Sequence, residues 1–121
     1  MDIFQVAKSG DNDSMKTILA DPSSDVNQAN EDGRTSLFLA SKNGHLEMVE
    51  LLLSTQGVEV NKADNDGNTP LLVASLSGNV PIVKALLAAG ADTNKTDEDG
   101  HSALFFATLN NHAEVADLLK N

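Results

Sequence analysis

The 121 residues, 40% hydrophobic and 21% charged, are enough for one domain with a continuous core and lie outside the compositions of disordered chains. With no cysteine there is no disulfide framework or thiolate metal site, and a formal charge of -10 sets the chain against phosphate backbones and anionic membranes, so DNA, RNA and membrane binding are not expected. The segment from Met1 to Val6 has no basic region leading into an apolar run, and no stretch approaches the ~20 apolar residues of a membrane span. A soluble cytoplasmic protein is the expectation, with the nucleus left open.

In chain order, Ile3 to Gly10 reads as a first helix and Ile18-Leu19-Ala20 as part of a second, giving a shortened unit over residues 1–29. The next unit, 30–63, opens on Asp32-Gly33-Arg34-Thr35-Ser36-Leu37-Phe38-Leu39-Ala40. That segment returns 34 residues later as Asp66-Gly67-Asn68-Thr69-Pro70-Leu71-Leu72-Val73-Ala74 in unit 64–96. It returns after 33 more as Asp99-Gly100-His101-Ser102-Ala103-Leu104-Phe105-Phe106-Ala107 in unit 97–121. A period of this size is the signature of a stacked repeat.

Within each unit, Thr35, Thr69 or Ser102 sits where an N-cap hydroxyl accepts from the unpaired N–H groups of a helix start, and Pro70 follows at the tolerated first position. The helix is expected to stop at Gly44, Gly78 or Asn111, residues suited to the left-handed conformation of a helix-ending turn. A second helix follows, apolar at spacings such as Leu46, Val49 and Leu53, before Gly57 or Gly90 opens a loop to the next acidic turn. So short a unit cannot bury its apolar face alone, and neighbours must stack.

These recurrences, with Gly44-His45, Gly78-Asn79 and Asn111-His112 in register, resemble the ankyrin repeat pattern D-x-x-G-x-T-P-L-H-x-A-A-x-x-G-H over nearly the whole chain. The resemblance implies an all-α solenoid of helix-turn-helix units joined by β-hairpin-like turns, about four repeats including two caps, with turns and first helices lining a concave surface. The chain departs from the pattern in keeping its proline only at Pro70 and in placing Phe38, Leu72 and Phe105 where the family has histidine. Lys120 replaces the leucine seen at Leu53 and Leu87, as a polar outer face on a terminal cap requires, and with the short first unit this reads as two capped ends.

No catalytic apparatus is legible. Asp64-x-Asp66-Gly67 and Asp97-x-Asp99-Gly100 resemble part of a calcium loop, but the first ligand position falls on Gln28, Lys62 or Lys95 and the twelfth on Leu39, Val73 or Phe106. His45, His101 and His112 lack partners at ligand spacing; His45 and His112 hold the family's own histidine position, and His101, in a turn, is expected to be the exposed one. No nucleophile elbow or phosphate-binding glycine motif occurs. Neither a cofactor, nor a metal, nor an enzymatic activity is expected. Asn27, Asn61 and Asn94 occupy the position that an asparaginyl hydroxylase modifies in some ankyrin proteins; a structural role in the turns is the favoured reading.

What remains is a binding surface. Glu31, Asp32, Asn65, Asp66, Glu98 and Asp99 form the turn tips, followed by Arg34, Asn68 and His101, and Lys42, Leu76 and Leu109 continue along the first helices. Leu76 and Leu109 align with Lys42, so an exposed apolar strip is expected there, whereas Phe38 and Phe105 are expected in the core. Asp64 and Asp97 are counted with the tips in one acidic ridge. The expected function is a protein-protein interaction module, monomeric when unbound, for a partner with a basic or mixed basic and apolar segment. The alternative is a structural or self-assembling scaffold unit.

Overall fold

The computed structural model describes residues 2–120; Met1 and Asn121, which the sequence reading includes in the first and last units, lie outside them. Each hydroxyl N-cap works as expected: the Thr35, Thr69 and Ser102 side chains accept from the N–H of Phe38, Leu72 and Phe105 at 3.2, 3.2 and 3.1 Å. They start α3 (Ser36–Asn43), α5 (Pro70–Ser77) and α7 (Ala103–Leu109), and Asp2 caps α1 (Ile3–Ser9) in the same way. Gly44 and Gly78 end α3 and α5 with φ of 77° and 74°, and Asn111 takes the same left-handed turn at 61° just after α7. Side-chain-bearing residues are disfavoured there, which is why the chain uses glycine and asparagine.

After each turn the second helix runs back against the first: α2 (Asn12–Ala20), α4 (Leu46–Leu53), α6 (Val80–Ala88) and α8 (Ala113–Lys120). First helices pack on first helices in the order α1, α3, α5, α7, and second on second in the order α2, α4, α6, α8, giving two layers. One apolar cluster runs from Ile3 to Ala116 between them, with Phe38, Met48, Leu52, Leu71, Leu72, Ile82 and Leu86 fully buried. Because this core is assembled from neighbouring units, no unit supplies it alone.

Two sets of side-chain contacts fix the stacking of the helix pairs and their loops. His45 Nε2–H donates to the Lys8 carbonyl at 2.7 Å and His112 Nε2–H to the Leu76 carbonyl at 3.1 Å, each joining a second-helix start to the preceding first helix. Asn79, at the equivalent place, caps its own α6 through the Ile82 N–H instead. Asn27 accepts from the Glu59 N–H and donates to the Gly57 carbonyl, both at 2.8 Å, and Asn61 accepts from the Asp92 N–H at 2.8 Å. These asparagines therefore clasp one inter-unit loop to the next.

Phe105 departs from the expected core. Phe38 and Leu72, its equivalents, are each 1% exposed because the following first helix covers them, whereas Phe105 is 43% exposed. No further helix lies on that side of α7 among the described residues, and Phe105 rests on His101 instead, ring centroids 4.7 Å apart and nearly parallel.

Candidate protein-binding surface

The turn before each first helix is built on one side chain. Asn30 Oδ1 accepts from the N–H of Asp32 and Arg34, Asp64 Oδ1 from those of Asp66 and Asn68, and Asp97 Oδ1 from those of Asp99 and His101, at 2.8 to 3.0 Å. A backbone bond closes each loop, as from Asp64 N–H to the Asn68 carbonyl at 2.8 Å. Two antiparallel bridges, Ala29 with Thr35 and Thr96 with Ser102, give the turns their hairpin character.

Successive tips are then bonded to each other. Asn65 N–H donates to the Asp32 carbonyl and Glu98 N–H to the Asp66 carbonyl, both at 3.0 Å, while Asn65 Nδ2 donates to the Glu31 carbonyl at 2.9 Å. The tips thus form one continuous ridge with Glu31, Asp32, Asp66, Glu98 and Asp99 exposed along it.

Asp64 and Asp97 do not belong to that outer surface. The turn geometry points both carboxylates inward: the Asp64 side chain is 1% exposed and takes Arg34 Nε at 3.3 Å, and Asp97 Oδ2 lies 3.1 Å from His101 Nδ1. Burial pushes the Asp97 carboxyl up, but hydrogen bonds from His101 and Asp99 and the charge of His101 outweigh it and hold the group below its ordinary value. Asp97, Asp99 and His101 also place three potential metal-ligand atoms within 4.8 Å of one another, but the turn itself already engages Asp97 and His101.

Arg34 and His101 are consequently half-committed. Arg34 lies over the Phe38 ring at 4.9 Å while it pairs with Asp64, and His101, expected to be the exposed histidine, is partly buried like His45 and His112 because Phe105 and Asp97 hold it. Asn65 spends its amide on the ridge, and Asn68 is partly buried.

Along the first-helix layer the expected strip is present. Leu76 and Leu109 are 43% and 61% exposed, and with Phe105 they are the exposed large hydrophobics among the described residues. All three lie on α5 and α7. Phe105 and Leu109 are four residues apart and share a face of α7. Lys42 is exposed at the matching place on α3, and Lys8 on α1 completes the row. Lys8 was recoverable from the sequence, since it stands 34 residues before Lys42. Phe105 carried no such signal, because its alignment with Phe38 gives its place on the helix and not what covers it.

Paired short helices stacked in two layers, with hairpin turns bonded into a ridge beside the first layer, define a helical-repeat solenoid. A family model of ankyrin repeats in three copies matches residues 3–97. The chain belongs to the ankyrin-repeat family, and α7 and α8, beyond the matched span, continue the same architecture. Ankyrin repeats are in general protein-protein interaction modules and non-enzymatic. A search of curated proteins found no match. Among the described residues no helix is long and apolar enough to cross a membrane.

Proposed function

We propose that this chain is a non-catalytic interaction module that holds a partner protein across the tip ridge and the first-helix row. Glu31, Asp32, Asp66, Glu98 and Asp99 provide the charged edge; Lys42, Leu76 and Leu109 provide the floor; Arg34, Asn65, Asn68 and His101 sit between, shaping the turns while offering part of their surface. The observation that carries this reading is the confinement of the exposed large hydrophobics, among the described residues, to α5 and α7. Apolar side chains at matching places in adjacent units form a patch whose burial favours association. The partner complements the ridge with a basic or mixed basic and apolar segment.

A photo-reactive residue in place of Leu109, in cells or lysate, tests the surface against the same residue in place of the exposed Lys84 on α6. Cross-linking of the same protein species from position 109, absent from position 84 and competed by unmodified chain, is the expected result. Equal capture from both positions, or none from 109, rejects the reading.

A further inference from the structure

The first-helix row is not uniform. From α1 to α7 it reads Lys8, Lys42, Leu76, Leu109, two exposed cations followed by two exposed leucines, with Phe105 extending the apolar end. Among the described residues neither ammonium takes part in an ion pair. Neighbouring helices pack ~8–10 Å apart, so the row spans ~25–30 Å and changes character at its middle. Lys42 lies seven residues along α3 from its cap Thr35, ~10 Å at 1.5 Å per residue, with the tips beyond the cap. Leu76 and Leu109 lie at the same distance from Thr69 and Ser102, so the row as a whole is set back from the acidic ridge.

We propose, building on the interaction-module reading, that the occupant of this first-helix row is a peptide segment of polarised chemistry bound in one direction. Its basic side chains face the ridge, its two apolar side chains seat on Leu76 and Leu109 with Phe105, and its carboxylates, displaced to one side, meet Lys42 and Lys8. The lysines make the arrangement selective. The tips of all three turns, Glu31 and Asp32 included, keep a carboxylate off the ridge, and only Lys42 and Lys8 offer it a cation, so the acidic end has one favourable place, at the α1 and α3 end of the row. Reversing the peptide would set its carboxylates against exposed leucines, with no cation to meet them, and its apolar residues against two ammonium groups, and both exchanges are unfavourable. Segments that are basic throughout meet the ridge but are opposed at Lys8 and Lys42.

A random 16-residue peptide library displayed on phage and selected on the immobilised full chain tests this, with the selected peptides measured by fluorescence anisotropy against wild type, Leu109→Ser, Lys42→Glu and Asp66→Asn. The expected peptides share two apolar positions with carboxylates to one side, and lose at least tenfold in affinity on both Leu109→Ser and Lys42→Glu. Peptides weakened by Leu109→Ser or Asp66→Asn but indifferent or improved on Lys42→Glu would overturn the polarity while leaving the binding surface intact. Peptides indifferent to all three substitutions would overturn the surface as well, and a selection that yields no binder counts against the polarised segment.

Discussion

The imidazole of His112 fills the space that a side chain on Gly78 would need, held there by its hydrogen bond to the Leu76 carbonyl. A β-carbon on Gly78 would overlap the ring, whereas one on Gly44 would meet only the Asn79 amide nitrogen, at 3.5 Å. Both glycines have the same left-handed backbone, so both alanine substitutions carry the ~1–2 kcal/mol left-handed penalty. Gly78→Ala additionally displaces the ring and its hydrogen bond, ~1 kcal/mol more. Urea melts of the two variants are expected to rank Gly78→Ala as the less stable; equal values would show that the ring moves aside without loss.

The two phenylalanines at one repeat position make a sharper contrast. Phe38→Ala empties a fully enclosed site and is expected to cost ~3–5 kcal/mol, while Phe105→Ala, removing a ring 43% exposed and stacked on His101, is expected to cost ~1 kcal/mol. Comparable losses in thermal or urea unfolding would mean that Phe105 is buried in solution.

Much of the fold was legible because unlike residues recur together. A hydroxyl, then an apolar run, then glycine or asparagine at a spacing of 33 or 34 residues fixes a helix start, face and stop at once, and Lys42 aligned with Leu76 and Leu109 marks an exposed position. What stayed hidden was direction. An aspartate in a tight turn has the same sequence signature whether its carboxylate faces water, as at Asp66, or folds back to accept two backbone N–H groups, as at Asp64. Phe105 was misplaced for the related reason that coverage at this position comes from the next helix pair.

Ser41 and Ser75 are fully buried where α3 and α5 approach their neighbours, and their hydroxyls meet no hydrogen-bonding partner among the described residues. Ala7 fills the equivalent place on α1. A buried hydroxyl without a partner is destabilising, and alanine is also the better helix former. Ser75→Ala is expected to raise stability by ~1 kcal/mol in a chemical melt. Ser77→Ala, on the exposed side of the same helix, serves as the control and is expected to change it by less than ~0.5 kcal/mol. A destabilised Ser75→Ala would reveal a bond at that hydroxyl.

Asp97 gives the turns a pH dependence whose sign follows from its depressed pKa. The stabilisation from its ionised form is present above the ordinary aspartate value, ~3.9, and is lost as pH falls through the lower folded-state value. Asp11 and Asp21 are lowered as well, by hydrogen bonds from Ser14 and Ser23, and act in the same direction. In Asp97→Asn an amide oxygen can accept the same two backbone bonds, as Asn30 does in its own turn, but the pairing with His101 disappears. The variant is expected to be less stable than wild type at neutral pH and to show a smaller decline below pH ~4, read from denaturant midpoints. Parallel declines would mean that the Asp97 charge is not coupled to folding.

The ridge makes a prediction about rates, which depends on which carboxylates face outward. Glu31, Asp32, Asp66, Glu98 and Asp99 are exposed on tips joined by backbone bonds, so their potentials overlap; Asp64 points inward and is offset by Arg34. A partner segment with basic side chains toward this edge is drawn in from a distance set by screening, ~30 Å at 0.01 M salt and ~8 Å at 0.15 M. Its association rate is therefore expected to fall at least ~10-fold over that range, with dissociation much less affected. Asp66→Asn with Asp99→Asn removes two outward charges and is expected to flatten the salt dependence. Leu109→Ser changes no charge and is expected to act on dissociation alone. Stopped-flow measurements on the captured partner separate these effects. An association rate indifferent to salt, or unchanged in the double variant, would reduce the ridge to a solubilising edge and leave the leucines as the source of binding.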